Sequence, residues 1–132
     1  VTVVMPDAVT VTIDYLVAAL PAVGGRVAVV VPSEPVWPML RVSALSTSTL
    51  ARRRLDRALL QIDCFDTAPA PARRLAAEVR AVLTEIDGFI HPDGALAASG
   101  DDWAQRVDAD DEFTPAVWRA AVTGHLILRP NP

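Results

Sequence analysis

Apolar and polar positions alternate most regularly between Leu55 and Phe65. Ala58, Leu60, Ile62 and Cys64 fall on one side, and Arg57, Gln61 and Asp63 fall on the other with Leu59 and Phe65. A period of two marks a sheet strand. Pro69 and Pro71 stop it, and Leu75, Val79, Val82, Leu83 and Ile86 then recur as one apolar stripe of an amphipathic helix, with Gly88 where a C-terminal cap belongs. This strand and helix, Leu55 to Gly88, are the scaffold around which the chain is read.

Upstream, Val9, Ile13, Leu16, Val17 and Leu20 form a helical stripe, while VTVTID alternates like a strand. Length favours the helix, because the alternation fades by Asp14 and the stripe spans three turns before Pro21, Gly24 and Gly25. Pro6 and Asp7 supply its start. The Val-rich run Arg26–Val31 predicts a short strand buried on both faces, Ser33–Pro35 a turn, and Trp37–Leu45 a second strand. Ser46–Arg54 reads as a polar link, so three consecutive strands would make an antiparallel meander. After the second helix, Phe89–Gly100 reads as a loop with an extended piece at Ala95–Ala98, Trp103–Val107 as a short strand, Asp108–Glu112 as an acidic loop, and Ala116–Arg129 as a long final strand. The expectation is one α+β domain over residues 1–132, a mainly antiparallel sheet with two α-helices packed against it.

Composition narrows this picture. A chain of 132 residues that is 52% hydrophobic, with three Phe, three Trp and one Tyr, builds its core from Ala, Val and Leu. At this length about two thirds of the unfolded surface can be buried, which argues against disorder. A net charge of -4 gives no electrostatic reason to expect a nucleic-acid binder. All twelve basic residues are Arg, a sign of codon bias rather than activity. The single Cys64 falls on the inward face of its strand and reads as core. There is no apolar run of the ~20 residues that a spanning helix needs and no secretion-signal pattern at the start, so a soluble intracellular protein is expected.

Candidate chemistry is sparse. His91 and His125 lack a ligand-type neighbour at helical spacing and a second Cys to join, so they read as surface or groove histidines and no metal site is expected. Counted from Asp108, a calcium loop would need Gly and Glu where Phe113 and Arg119 stand. No Ser has a G-x-S-x-G context, and Gly24-Gly25 precedes a strand rather than following one, so neither nucleophilic catalysis nor phosphate cradling is indicated. Arg52, Arg53 and Arg54 form the only basic run, and their guanidinium forks suit carboxylates of a neighbouring subunit or a phosphate backbone. Arg73 and Arg74 are placed in the first turn of the second helix and Glu85 and Asp87 in its last, opposing the macrodipole as though they faced partners.

PDAVTVTIDYLVAAL with its Tyr15-Leu16 pair, PSEPVWPMLRVSAL with Arg41-Val42, LDRALLQIDCFDT followed by ARRLAAEVRAVLTEI, and the closing AVWRAAVTGHLILRP together resemble the tail terminator proteins of long-tailed bacteriophages, particularly those of actinobacteria. The chain departs from that pattern in STSTLARRR, which lacks the Gly-rich turn of many relatives. The resemblance implies a structural virion protein without catalysis or cofactor. It would be a ring, hexameric by analogy, capping the head-proximal end of the tail tube, touching the tail tube protein and the head-tail connector, and letting genomic DNA pass transiently through its channel. The virion neck, after assembly in the host cytoplasm, is the implied location. Arg52, Arg53, Arg54, Arg73, Arg74, Asp108, Asp110, Asp111 and Glu112 are then the expected subunit or partner contacts. Another neck component, or a small ligand-binding or enzymatic domain, are the other readings.

Overall fold

The computed structural model describes residues 5–51, 55–100, 102–110 and 117–130. In chain order its elements are α1 (Ala8–Ala19), a 3-10 turn (Pro21–Val23), β1 (Val27–Ala28), β2 (Met39–Ala51), β3 (Leu55–Asp66), α2 (Pro69–Thr84), β4 (Ala95–Ser99), β5 (Ala104–Asp110) and β6 (Val117–Pro130). The sheet order is β1-β2-β3-β6, and the far edge of β6 is shared end to end by β4 and β5. Every pairing is antiparallel except the short parallel contact of β1 with β2. The α+β class and the mainly antiparallel sheet read from the sequence are therefore correct.

The alternation along β3 decides which face is covered. Ala58, Leu60, Ile62 and Cys64 meet Leu128, Leu126, Val122 and Ala120 of β6 and Leu40 and Val42 of β2 in one buried cluster. Ala72, Leu75, Ala76, Val79 and Leu83 of α2 close that cluster with Ala8, Val11 and Leu16 of α1. Alanines on the sheet-facing side of α2 bring its axis close to the strands, which suits a core with few aromatic rings. Asp7 caps α1 by accepting the Thr10 amide at 3.2 Å, so it acts as the N-cap rather than as a first-turn charge. Thr12 is tolerated in the core because its hydroxyl donates back to the Ala8 carbonyl at 2.7 Å. The Tyr15 hydroxyl donates to the Val82 carbonyl at 2.5 Å and joins the two helices. Burial, and then the charge of Glu85, raise its pKa.

Several expectations change. The Val-rich run yields only a two-residue β1, parallel to β2, and Val29 and Val30 are 55% and 73% exposed instead of buried on both faces. The three-strand antiparallel meander is thus reduced to a hairpin of β2 and β3. β2 runs to Ala51, so Ser46–Ala51 is strand and not link: β-branched Thr47 and Thr49 pair across to Ala58 and Asp56. Proline at the first helical position starts α2 at Pro69, earlier than the apolar stripe indicates. The helix ends with Glu85 as its C-cap, and Gly88, at φ 87, lies three residues beyond.

β4 and β5 run in one direction along β6, and the pairing breaks between Ser99 and Ala104, at Gly124 and His125 of β6. Trp103 folds over Gly124 there, and a Cβ at Gly124 would lie 2.5 Å from its ring. The Trp103 indole N–H donates to the Ser99 hydroxyl at 3.0 Å, which holds the ring in place. Gly124→Ala is expected to lower stability by about 1–3 kcal/mol, the usual cost of overpacking. Much less should be lost when Trp103 is already replaced by Ala. Urea unfolding of the two single variants and the double variant measures this coupling.

Candidate functional site

The face of the sheet turned away from the helices carries the polar half of the alternation. Asp63 sits there only 1% exposed, although no helix covers that side. Arg41, its cross-strand neighbour, gives Nε and Nη2 to Asp63 Oδ2, each at 3.0 Å, and Gln61 Nε2 donates to Oδ1 at 2.9 Å. The Arg41 guanidinium lies over the Phe65 ring at 5.1 Å, and Phe65 packs against Trp37 at 5.6 Å between ring centres. A buried carboxylate is thus held by a bidentate cation and an amide, with an aromatic wall behind the cation. In the strand register Arg119 of β6 lies opposite Phe65, and Arg106 of β5 opposite Ala121. This arrangement fixes side chains. It positions no nucleophile beside a base.

Further along the same face, the Asp102 carboxylate accepts the His125 amide at 2.8 Å and pairs closely with its ring through Nδ1, which also lies 3.3 Å from Arg57. Burial pushes the Asp102 carboxyl up, but the hydrogen bonds from the His125 side chain and backbone and the imidazole charge outweigh it, leaving its pKa below the usual range. His91 is buried at the other side of the fold. The Asp93 amide donates to its Nδ1 at 3.1 Å, which leaves Nε2–H to donate to Asp14 at 2.6 Å. His91 therefore ties α1 to the segment before β4. It is a core tie rather than the surface or groove histidine expected, and its partner, 77 residues away, was not visible in local spacing. Cys64 is buried, and its thiol pKa is pushed far up by burial and then by the charge of Asp63.

Four of the nine expected contact residues are among those described, Arg73 and Arg74 in α2 and Asp108 and Asp110 in β5. Arg52, Arg53, Arg54, Asp111 and Glu112 lie outside the described residues. Asp108 and Asp110 belong to β5, so that part of the acidic segment is strand and not loop. Arg73 and Arg74 are exposed, but α2 begins at Pro69, which puts them in its second turn, while Asp87 lies past the helix and accepts the Ser99 amide at 2.7 Å. The proposed conflict with the helix dipole is correspondingly small. Arg74 shares a cleft with Asp66, Pro71 and Glu78. A groove between α2 and Trp103 is lined by Ala77, Arg80, Ala81, Thr84 and Glu85, and the Thr84 hydroxyl in it is spent on the Arg80 carbonyl at 2.8 Å. Among the described residues no three His, Cys, Asp or Glu side chains are grouped to hold a metal ion, and no helix is long and apolar enough to cross a membrane.

No family model matches the chain, and no curated protein matches it in sequence. Its fold is similar to that of a chain in the solved virion of a native gene transfer agent (GTA) particle. The TM-score is 0.59 over 92% of this chain and 93% of that one, at 18% sequence identity. At that identity it is a likeness of fold.

Removing the cation from Asp63 leaves a buried carboxylate unpaired. Arg41→Ala should cost about 2–3 kcal/mol, below the ~3–5 kcal/mol of a fully buried pair because Arg41 is 21% exposed. The double variant Arg41→Met with Asp63→Leu should recover most of that loss in denaturant unfolding. The lowered Asp102 pKa sets a pH test as well. A carboxyl held below its unfolded value stabilises the fold fully above that value, near 3.9, and loses the contribution as pH falls through the native one. Wild type should therefore be more stable than Asp102→Asn at neutral pH, and the difference should vanish in acid.

Proposed function

We propose that this chain is a structural component of a phage-type virion, and within it the tail terminator: a ring that caps the head-proximal end of the tail tube and meets the head connector. The observation that carries this is the end-to-end similarity to a chain of the GTA virion, at a TM-score of 0.59 with coverage above nine tenths in both directions. The same residue patterns from Pro6 to Pro130 that resemble tail terminators fall on elements of this fold: α1, β2, β3 with α2, and β6. The described residues support a scaffold rather than a catalyst: the buried polar groups of Thr12, Asp63 and His91 hold strands and helices together.

The strand pairing also separates the charged segments. The Arg52–Arg54 connection joins Ala51 to Leu55 at one end of the sheet, and the connection holding Asp111 and Glu112 joins Asp110 to Val117 at the other. In a ring whose axis runs roughly along the strands, the connection at one end carries arginines and the one at the other end carries carboxylates, a difference suited to different neighbours above and below, the tail tube on one side and the connector on the other. Arg73 and Arg74, near the β3–α2 junction, belong to the second end.

Two measurements test this reading. Purified protein is expected to bind the ends of purified tail tubes and to stop tube elongation, as seen by negative-stain microscopy. Binding to portal-bearing heads with no affinity for tail ends would make it another neck component instead. Replacing Arg52, Arg53 and Arg54 together by Ala is expected to weaken ring or tail assembly by tenfold or more while leaving the circular dichroism spectrum and melting temperature unchanged. Unchanged assembly would show that the arginines are not contacts.

A further inference from the structure

Among the described residues the sheet has two margins without a full partner strand. Along β2, β1 covers only Leu40 and Arg41, and among the described residues no strand pairs with the outer edge beyond them. Ala44 to Thr49 are each exposed, and from Ser43 to Ala51 there is no charge and no proline. Soluble proteins ordinarily protect a strand edge of this length with lysine, proline or an inward charge. Bulges between Ala44 and Ser46, with Leu45 54% exposed, and between Thr49 and Ala51 are the devices of this kind here. On the opposite margin β5 pairs, among the described residues, with β6 alone. The edge of β4 is different: Gly88, Phe89 and His91 already hydrogen-bond to Ala97 and Ala95.

We infer that the β2 edge of one copy of this chain pairs with the β5 edge of the next, closing the ring through a continuous antiparallel sheet. This deepens the ring reading above and takes its cyclic symmetry from it. Direction supports it. β2 runs with β6, and β5 runs against β6, so copies related by rotation about an axis along the strands bring β5 and β2 together antiparallel.

Face matching narrows the register. Residues directly opposite in a sheet share a face. Thr47 is level with Ala58 on the helix side, as Gln105 is with Val122, and Ser48 lies with Arg57 on the open side, as Ala104 does with Thr123. Thr47 opposite Gln105 and Ser48 opposite Ala104 satisfy both. Within one copy Gln105 is level, through Val122 and Ile62, with Val42, so the contact climbs from Val42 to Thr47 for each copy. One residue of that climb is the Leu45 bulge, so the climb along the β3 ladder is four, from Ile62 to Ala58, and four residues at ~3.3 Å over four strands at ~4.8 Å make a tilt of about 35°, at the lower end of the ~35–45° that closed sheets adopt. Shifting by two residues to Val107 raises the tilt to about 46°, just past the upper end. Closed this way, the helices face outward and the Arg41–Asp63 face lines the channel.

The test is a crosslink. The double variant Ser48→Cys with Ala104→Cys, oxidised, is expected to give a reductant-sensitive ladder of covalent oligomers ending in one closed species. Neither single variant should give a ladder, and the buried Cys64 should stay silent. A dimer from Ser48→Cys alone would mean that two β2 edges pair with each other and would overturn the proposal, as would no ladder from the double variant. Thr47→Pro gives an independent check. Leu40 sends its amide outward to the Arg26 carbonyl at 2.9 Å, and alternation across the bulge turns the Thr47 amide outward too, so proline there removes no bond to β3. This variant should keep the monomer's melting temperature and lose the ring in native mass spectrometry; an intact ring would contradict the pairing. A covalent ring that ignores tail tubes would overturn the function and leave the pairing standing, whereas binding to tail tubes without a ladder would do the reverse.

Discussion

Everything in this fold hangs on the antiparallel ladder between β3 and β6, which runs unbroken from Asp56 opposite Leu128 to Asp66 opposite Trp118. A slip of one residue would turn Leu60 and Ile62 outward and bury Arg57 and Gln61 against the helices. The register is therefore specified by burial as well as by hydrogen bonds. Once the ladder is set, α2 has one face to lie on, α1 closes the remaining gap, and β2 and the broken strand of β4 and β5 are the margins.

The same constraint produces the surface on which the functional argument rests. With both helices committed to one side, the other side must satisfy its polar groups itself, and it does so laterally. Arg41, Gln61 and Asp63 bond one another across β2 and β3, and Asp102 bonds His125 across the interruption that Gly124 permits. Such pairs gain little over water at an exposed site but hold their side chains in single positions when buried. A polar face held by its own side chains, and strand edges without a partner among the described residues, are the features from which the proposed ring is argued.

Much of this was legible in the residue pattern, and the rest was hidden for identifiable reasons. The period of two in β3 and β6 and the helical stripe of α2 survive almost unchanged, because burial on one face imposes the pattern and the pattern reports it. Ser46 to Ala51 read as a link because Ser46, Thr47, Ser48 and Thr49 are polar on both faces; a stretch exposed on both sides has no alternation to show. Val29 and Val30 erred in the other direction, since apolar character indicates burial only where something is there to cover it. His91 with Asp14, and the role of Trp103 against Gly124, depend on contacts between distant segments that no local spacing encodes. The acidic segment was legible as charge but not as strand, because aspartates disfavour the very conformation that β6 imposes on Asp108 and Asp110.

Electron cryomicroscopy of phage-type particles purified from cells that express this chain tests the tail-terminator proposal most directly, by showing whether and where the particles hold it. The account predicts a single ring of density, fitted by this fold with helices outward and the Arg41–Asp63 face toward the channel, between the last ring of the tail tube and the head connector. A chain absent from purified particles, or found elsewhere in them as an isolated monomer, would contradict it.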